Sequence, residues 1–444
     1  MTPHPLRALA ALALVSGLGL VGAVPAAAAA DRVPSVLRTA TSNECVASTR
    51  VTETPPALDE LQSASAWART RGQGVTVAVV DSGVAPNPHL DGVVVAGVNL
   101  VGDGTDAAGR TDSYGHGTII AGQIAAQLIP GSGVEGLAPG ARILPIRVYA
   151  GTSNQEVDAG FGPNTQRMAD GIRAAADRGA QIINVSMSTS EANPALAGAV
   201  SYATEKGSLV VASAGNRDSS LALQKDDNDG TRYPAGFPNA IGVAATDTSG
   251  VVTDASIHGS HVSLAAPGQV IPSTSAVGGD CVIAPDTPAT SYAAAYVSAA
   301  AALVASAHPD ETPAQWAYRL EVTAVRADPD SRSNVSGWGV VQPYDAITLV
   351  PGSGLRGPAS PFVSATATAA PPSSDQTSVD VVVGPGEDAA AIVTATAIGI
   401  GALIVLAALG TLAVFVSRRR EDGVPGRPGP TGRGLYGDDT STTP

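Results

Sequence analysis

Gly74-Val-Thr-Val-Ala-Val-Val-Asp81-Ser-Gly83 is the stretch that decides the fold. Val75 to Val80 are apolar or β-branched throughout, with no alternation of polar and apolar positions. A run of this length, bounded by Gly74 and by Asp81-Ser82-Gly83, reads as a strand buried on both faces. Such strands belong to parallel sheets covered by helices on either side. The pattern recurs downstream. Strands are expected at Arg142–Tyr149, Ile182–Val185, Leu209–Ser213 and Ala240–Thr246. Helices are expected at Ala57–Arg71, His116–Gln127, Gln166–Arg178, Ala195–Lys206 and Ser291–Ser306, two of them closed by Gly179 and Gly207. Strand–helix alternation predicts an α/β fold in three layers, a mostly parallel sheet with helices on both faces. The folded unit is expected over residues 57–350.

The ends of the chain carry addresses. Arg7, the apolar run Ala8–Val24 and the small residues Ala26–Ala30 describe a signal peptide over residues 1–30, with an uncleaved anchor as the alternative. Residues 31–56 read as an irregular extension. It is shorter than the roughly 40 residues below which a domain seldom folds unaided, so it is not expected to be an independent inhibitory domain. Residues 351–388, rich in Pro, Ser, Thr and Ala, read as a flexible linker. Residues 389–416 hold no charge over 28 positions. About 20 apolar residues cross a bilayer as a helix, so this is read as a single transmembrane helix, with a buried core helix as the alternative. Arg418, Arg419 and Arg420 follow, which places the 417–444 tail in the cytoplasm and the rest of the chain outside the cell membrane. That tail, rich in Gly and Pro, is expected to be disordered.

A formal charge of −14 over 444 residues argues against a nucleic-acid partner. Cys45 and Cys281 are the two cysteines, too few for an ordinary zinc site. An exported chain meets oxidising conditions, so a Cys45–Cys281 disulfide is expected, two buried free thiols being the alternative. No cofactor or metal is required. Asp226-Asp-Asn-Asp-Gly230 resembles a weak calcium site but lacks the full ligand spacing, and a solvated acidic turn is preferred.

A hydroxyl becomes a good nucleophile when a base takes its proton and a carboxylate orients that base. Three segments supply these parts. Asp81 ends a strand in V-V-D-S-G, His116 opens a helix in Y-G-H-G-T, and Ser291 opens another in A-T-S-Y-A-A. Each alone is a common turn or cap residue. Together they stand at strand ends and helix starts, where sites form in open α/β sheets. The order Asp, His, Ser is one known for this constellation.

D-S-G, H-G-T and T-S-Y-A resemble the signature segments of the subtilisin-like serine proteases over about residues 60–345. The resemblance implies Ser291 as nucleophile, His116 as base and Asp81 as orienting carboxylate. Val210-Val-Ala-Ser-Ala-Gly-Asn216 resembles the strand whose Asn donates to the oxyanion. Substrate contacts are implied at Ser186 and Met187 on one side of a cleft, and at Ser213, Ala214 and Gly215 on a pocket wall. Two positions depart from the family pattern: Ala289 stands where it has Gly, and Ala295 where it has Pro. The first is expected to alter the approach to Ser291, because Gly enters conformations closed to Ala. The arrangement of leader, extension, protease, linker and span is similar to the mycosins, proteases of type VII secretion. That resemblance implies a polypeptide substrate among exported proteins and the secretion machinery as partner. A scaffolding part in the secretion complex, with a weak or idle active site, is the alternative.

Overall fold

The structure is a computed structural model and describes residues 45–217 and 228–362. The segments expected as leader (1–30), span (389–416) and cytoplasmic tail (417–444), the linker from residue 363 on, and Asp226 and Asp227 lie outside the described residues. Seven strands form one sheet: β1 Thr76–Asp81, β2 Val98–Asn99, β3 Arg142–Arg147, β4 Ile182–Val185, β5 Leu209–Ser213, β6 Ala240–Thr246 and β7 Leu264–Pro267. Their order is β2-β3-β1-β4-β5-β6-β7, and every neighbouring pair is parallel. The chain therefore leaves β1 toward β3 on one side and returns to β4 on the other. Such a reversal opens a crevice at the carboxyl ends of the strands.

Alternation along β1 explains the layers. Val77 and Val79 pack with helices α3 (His116–Ala125) and α7 (Thr290–Ala307), and with α1 (Pro56–Glu60) and α2 (Ser63–Trp67). Ala78 and Val80 pack on the opposite face with α5 (Thr165–Asp177) and α6 (Pro194–Glu205). α7 is the one described helix long and apolar enough to cross a bilayer. Its buried run of Ala, Val and Leu makes it the core helix of the first layer instead.

Several elements differ from expectation. The helix expected over 57–71 is two short helices, because Gln62 takes a left-handed conformation with φ 51°. That break turns Leu58, Leu61 and Ala66 all into the core and gives Gln62 a side-chain bond to Gln342, a tertiary gain that outweighs helical continuity. The 150–165 loop holds α4 (Asn154–Asp158), started by a capping box at Ser153. After β7 come a hairpin, β8 (Ile271–Thr274) with β9 (Asp280–Ile283), and later α8 (Pro313–Val322) and α9 (Pro343–Thr348). Residues 351–362 continue the fold rather than starting the linker. Arg356 pairs with Asp330, and the Phe362 ring lies 5.8 Å from that of Tyr318.

The end of the N-terminal extension is fastened to the hairpin. Cys45 and Cys281 form a disulfide that spans 236 residues of sequence. Beside it, Asp280 is fully buried. Its Oδ2 accepts from the Val51 N–H (2.9 Å) and Ser132 Oγ (2.7 Å), and its Oδ1 lies 2.9 Å from His89 Nε2. His89 Nδ1 lies 2.6 Å from the Gln127 carbonyl. One carboxylate thus ties four separate segments together.

Candidate active site

β1 delivers Asp81 to the centre of the sheet's carboxyl edge. The side chain is 0 % exposed, so its charge depends on internal donors. Ser82 N–H donates to Oδ1 at 2.8 Å, and His116 Nδ1 lies 2.8 Å from Oδ1 and 3.0 Å from Oδ2. Burial alone would raise the carboxyl pKa, but the adjacent His116 and these donors hold it below the ordinary carboxylate value.

The H-G-T segment follows from the same crowding. His116 is the first residue of α3, and Gly115 before it needs φ 89°. A Cβ on Gly117 would stand 2.1 Å from the Gly83 carbonyl oxygen, so glycine is required where α3 meets the turn after β1. Asp112 caps this turn of helix. Its Oδ1 accepts from Gly115 N–H (2.8 Å), and its Oδ2 from Thr118 N–H (2.9 Å) and Thr118 Oγ1 (2.6 Å). Burial raises the Asp112 pKa. Burial also works against a charged His116, but Asp81 first and Asp112 after it outweigh that and raise the His116 pKa. Gly117→Ala is expected to cost about 1–3 kcal/mol of stability, by overpacking of backbone on backbone. Urea unfolding monitored by circular dichroism would measure it.

Ser291 is the second residue of α7 and is 6 % exposed. A polar relay positions its helix end. Ser298 Oγ donates to Asn184 Oδ1 (2.9 Å), Asn184 Nδ2 to Ser186 Oγ (2.8 Å), and Ser186 Oγ to the Ser291 carbonyl (3.1 Å). Three residues past the end of β5, Asn216 Oδ1 accepts from both Thr290 N–H (2.8 Å) and Thr290 Oγ1 (3.0 Å). Ser213 Oγ lies 2.6 Å from Thr290 Oγ1. The Tyr292 ring sits 5.6 Å from the His116 ring, which brings the start of α7 against α3. No hydrogen bond joins Ser291 Oγ to His116. Contacts of this kind commonly tighten only with substrate.

Ala289 does not distort this approach. It is extended, with φ −129° and ψ 134°, a conformation open to any residue. Gly268 provides the space: a Cβ there would meet the Ala289 carbonyl oxygen at 2.8 Å. Ala295 is fully buried inside α7.

The residues expected to line the cleft behave differently. Ser186 and Met187 are each 1 % exposed, Ser213 3 % and Ala214 0 %. Ser186 and Ser213 spend their hydroxyls on α7. Ala214 uses its N–H on Val243 O and its carbonyl on His261, and Gly215 uses its N–H on Ser213 Oγ and its carbonyl on Ile257. These side chains therefore pack beneath the site, and the substrate contact implied at Ser186 and Met187 is one of backbone pairing, on which the burial of their side chains has no bearing. Asp112 and Tyr149, whose hydroxyl donates to Asp81 Oδ1 at 2.8 Å, carry no motif in the sequence, while Asn184 opens the Asn184–Met187 stretch that resembles one side of the cleft. Among the described residues no cluster of three or more His, Cys, Asp or Glu is placed to hold a metal. Asp229, at the edge of the acidic turn, pairs with Arg217.

A seven-stranded parallel sheet with a buried Asp–His pair, and a serine at the start of the central helix, define a subtilisin-like serine peptidase. The sequence profile of the Subtilase family matches residues 72–339, and the chain belongs to that family. It is a serine endopeptidase by the same kinship, and it is of the mycosin type. It is 33 % identical over 411 residues to Mycosin-3 of Mycobacterium tuberculosis, covering 83 % of this chain and 84 % of that one. Thermitase of Thermoactinomyces vulgaris is 41 % identical over 217 residues, 48 % of this chain and 70 % of thermitase. Among solved structures, the MycP3 protease from the type VII (ESX-3) secretion system superposes with a TM-score of 0.56 at 32 % identity, covering 68 % of this chain and 90 % of that one. MycP1 from Mycobacterium smegmatis gives 0.58 at 30 %, covering 72 % and 90 %.

Proposed function

We propose that the chain cleaves exported proteins at the outer face of the membrane, beside a type VII secretion system, through a triad of Ser291, His116 and Asp81. The buried Asp81–His116 bond carries this reading. Asp81 accepts from Nδ1–H and so leaves Nε2 as the proton acceptor. His116 Nε2 takes the Ser291 proton while Oγ attacks the peptide carbonyl. The tetrahedral oxyanion then collapses to an acyl-enzyme, and His116 returns the proton to the departing amine. Water, deprotonated by His116, frees Ser291. Because the base must be neutral and its pKa is raised, the acid limb of kcat/KM lies above the ordinary histidine value.

Asn216 supplies the oxyanion donor, with the Ser291 N–H as the second. Thr290 holds its Oδ1, so the amide turns its Nδ2 the other way. Asn216→Ala is expected to lower kcat by about 10²–10³ with little change in KM. Steady-state kinetics on a peptide amide would read this. The leader at 1–30 directs export and is removed, and the span at 389–416 tethers the protease outside the cell, with residues 363–388 as the remaining linker. Support for the secretion partner is the similarity to Mycosin-3 over most of both chains.

The test is a comparison of exported-protein termini in cells lacking the gene and complemented with wild type or Ser291→Ala. New N-termini should appear with wild type alone. Identical termini in both strains would refute the proposal.

A further inference from the structure

The two oxygens of Asp81 are used unequally. Oδ1 faces Ser82 N–H (2.8 Å), Ser82 Oγ (3.2 Å), Tyr149 Oη (2.8 Å) and His116 Nδ1 (2.8 Å). Oδ2 faces His116 Nδ1 alone, at 3.0 Å. Ser82 is the neighbour in sequence and holds the carboxylate from the backbone side. Tyr149 comes from the segment that follows β3. The Val148 N–H donates to the Asp81 carbonyl at 2.9 Å, extending the β1–β3 ladder and setting the residue after it beside the carboxylate. The Tyr149 ring is fully buried and lies edge-on to Tyr114, with centroids 5.8 Å apart. Burial, and then the charge of Asp81, raise its phenol far above the usual range, so it remains a donor at every working pH.

We propose that Tyr149 is a positioning residue of the catalytic apparatus: its hydroxyl anchors Asp81 Oδ1, fixes the carboxylate plane toward His116 Nδ1 and sets the basicity of that imidazole. The proposal rests on the triad reading above. A carboxylate turns freely about Cβ–Cγ unless its oxygens are held, and each added donor draws charge away from the His116 contact. The phenol acts on Asp81, out of reach of the substrate. The other groups facing this cluster are Asp112 and Tyr114 from the loop before α3, and Tyr292 from α7. Arg147 of β3 donates to the Ser82 carbonyl.

The test uses the full chain and two substitutions at position 149. Tyr149→Phe keeps the ring and removes the donor. Its kcat is expected to fall about ten- to a hundredfold, with KM within about twofold, the range of a bond to a charged group. Its acid limb should move to higher pH, because Asp81 then presents more charge to His116. Genetic replacement of Tyr149 by 3-fluorotyrosine, a stronger donor, should move the limb to lower pH. It should also shift the downfield Nδ1–H resonance of His116 in the opposite sense to Tyr149→Phe. Wild-type pH profiles and kcat in both variants would overturn the proposal. If Tyr149→Phe does not fold, the fluorinated enzyme alone decides. Ser291→Ala and His116→Ala run alongside. If either retains full activity, the triad reading fails; if both are inactive while the Tyr149 variants match wild type, only this inference fails.

Discussion

Asp81→Asn is expected to lower kcat by about four orders of magnitude while the enzyme stays folded. Ser82 N–H and the Tyr149 hydroxyl both donate to Oδ1. The amide oxygen of the variant therefore settles at that position. The NH₂ group falls where Oδ2 was, 3.0 Å from His116 Nδ1. His116 Nδ1 also lies 2.8 Å from the Oδ1 position, but that oxygen already takes the Ser82 N–H and the Tyr149 hydroxyl, and the NH₂ finds an acceptor only in the other imidazole tautomer, with Nδ1 unprotonated and the proton on Nε2. Nε2 can then no longer take the Ser291 proton. The loss should appear in kcat and not in KM, because Asp81 is fully buried and touches no substrate. Peptide-amide kinetics at pH 8 would measure it. A fall of less than about tenfold would mean that Asp81 does not set the tautomer.

Asp280→Ala is expected to destabilise the folded unit by about 3–5 kcal/mol. The wild-type carboxylate accepts from Val51 N–H and Ser132 Oγ and faces His89 Nε2, all away from water. Alanine removes every acceptor, which leaves the Val51 N–H and the Ser132 hydroxyl without their partner and His89 without its carboxylate. Burial alone would raise the Asp280 pKa, but the bonds from His89, Ser132 and Val51 hold it below the ordinary value. The sign follows. A carboxylate with a depressed folded pKa stabilises the protein above its unfolded value, near 4, and loses that contribution as pH falls through the folded value. Urea unfolding at pH 7 and pH 3.5 should show a wild-type loss on acidification that the variant lacks in part. The disulfide remains in both proteins, so the difference isolates the buried carboxylate from the Cys45–Cys281 bridge.

How much of this was legible depended on distance along the chain. β4, β5 and β6 match the expected spans, because each is a mostly apolar, β-branched-rich run between Gly or polar breaks. The sheet class followed from the same runs. Asp81, His116 and Ser291 were legible because their flanking glycines and small residues record close approaches, such as Gly117 against Gly83. Tyr149 was hidden, because a tyrosine closing an apolar strand reads equally as core. Asn184 stands in the stretch that resembles the cleft wall, but its part in holding α7 was hidden, because its polar partner, Ser298, lies 114 positions away. The cleft residues follow from resemblance to motif segments, which gives their position along the chain, while the burial of their side chains follows from packing against α7. α8 could have been found from Thr312-Pro-Ala-Gln315, a capping box with proline at the first helical position.

The most direct test is to treat the full chain with a fluorophosphonate probe and locate the adduct by peptide mass spectrometry. The triad predicts modification at Ser291, abolished in Ser291→Ala and strongly slowed in His116→Ala. An adduct on another residue, or undiminished labelling without His116, would contradict it.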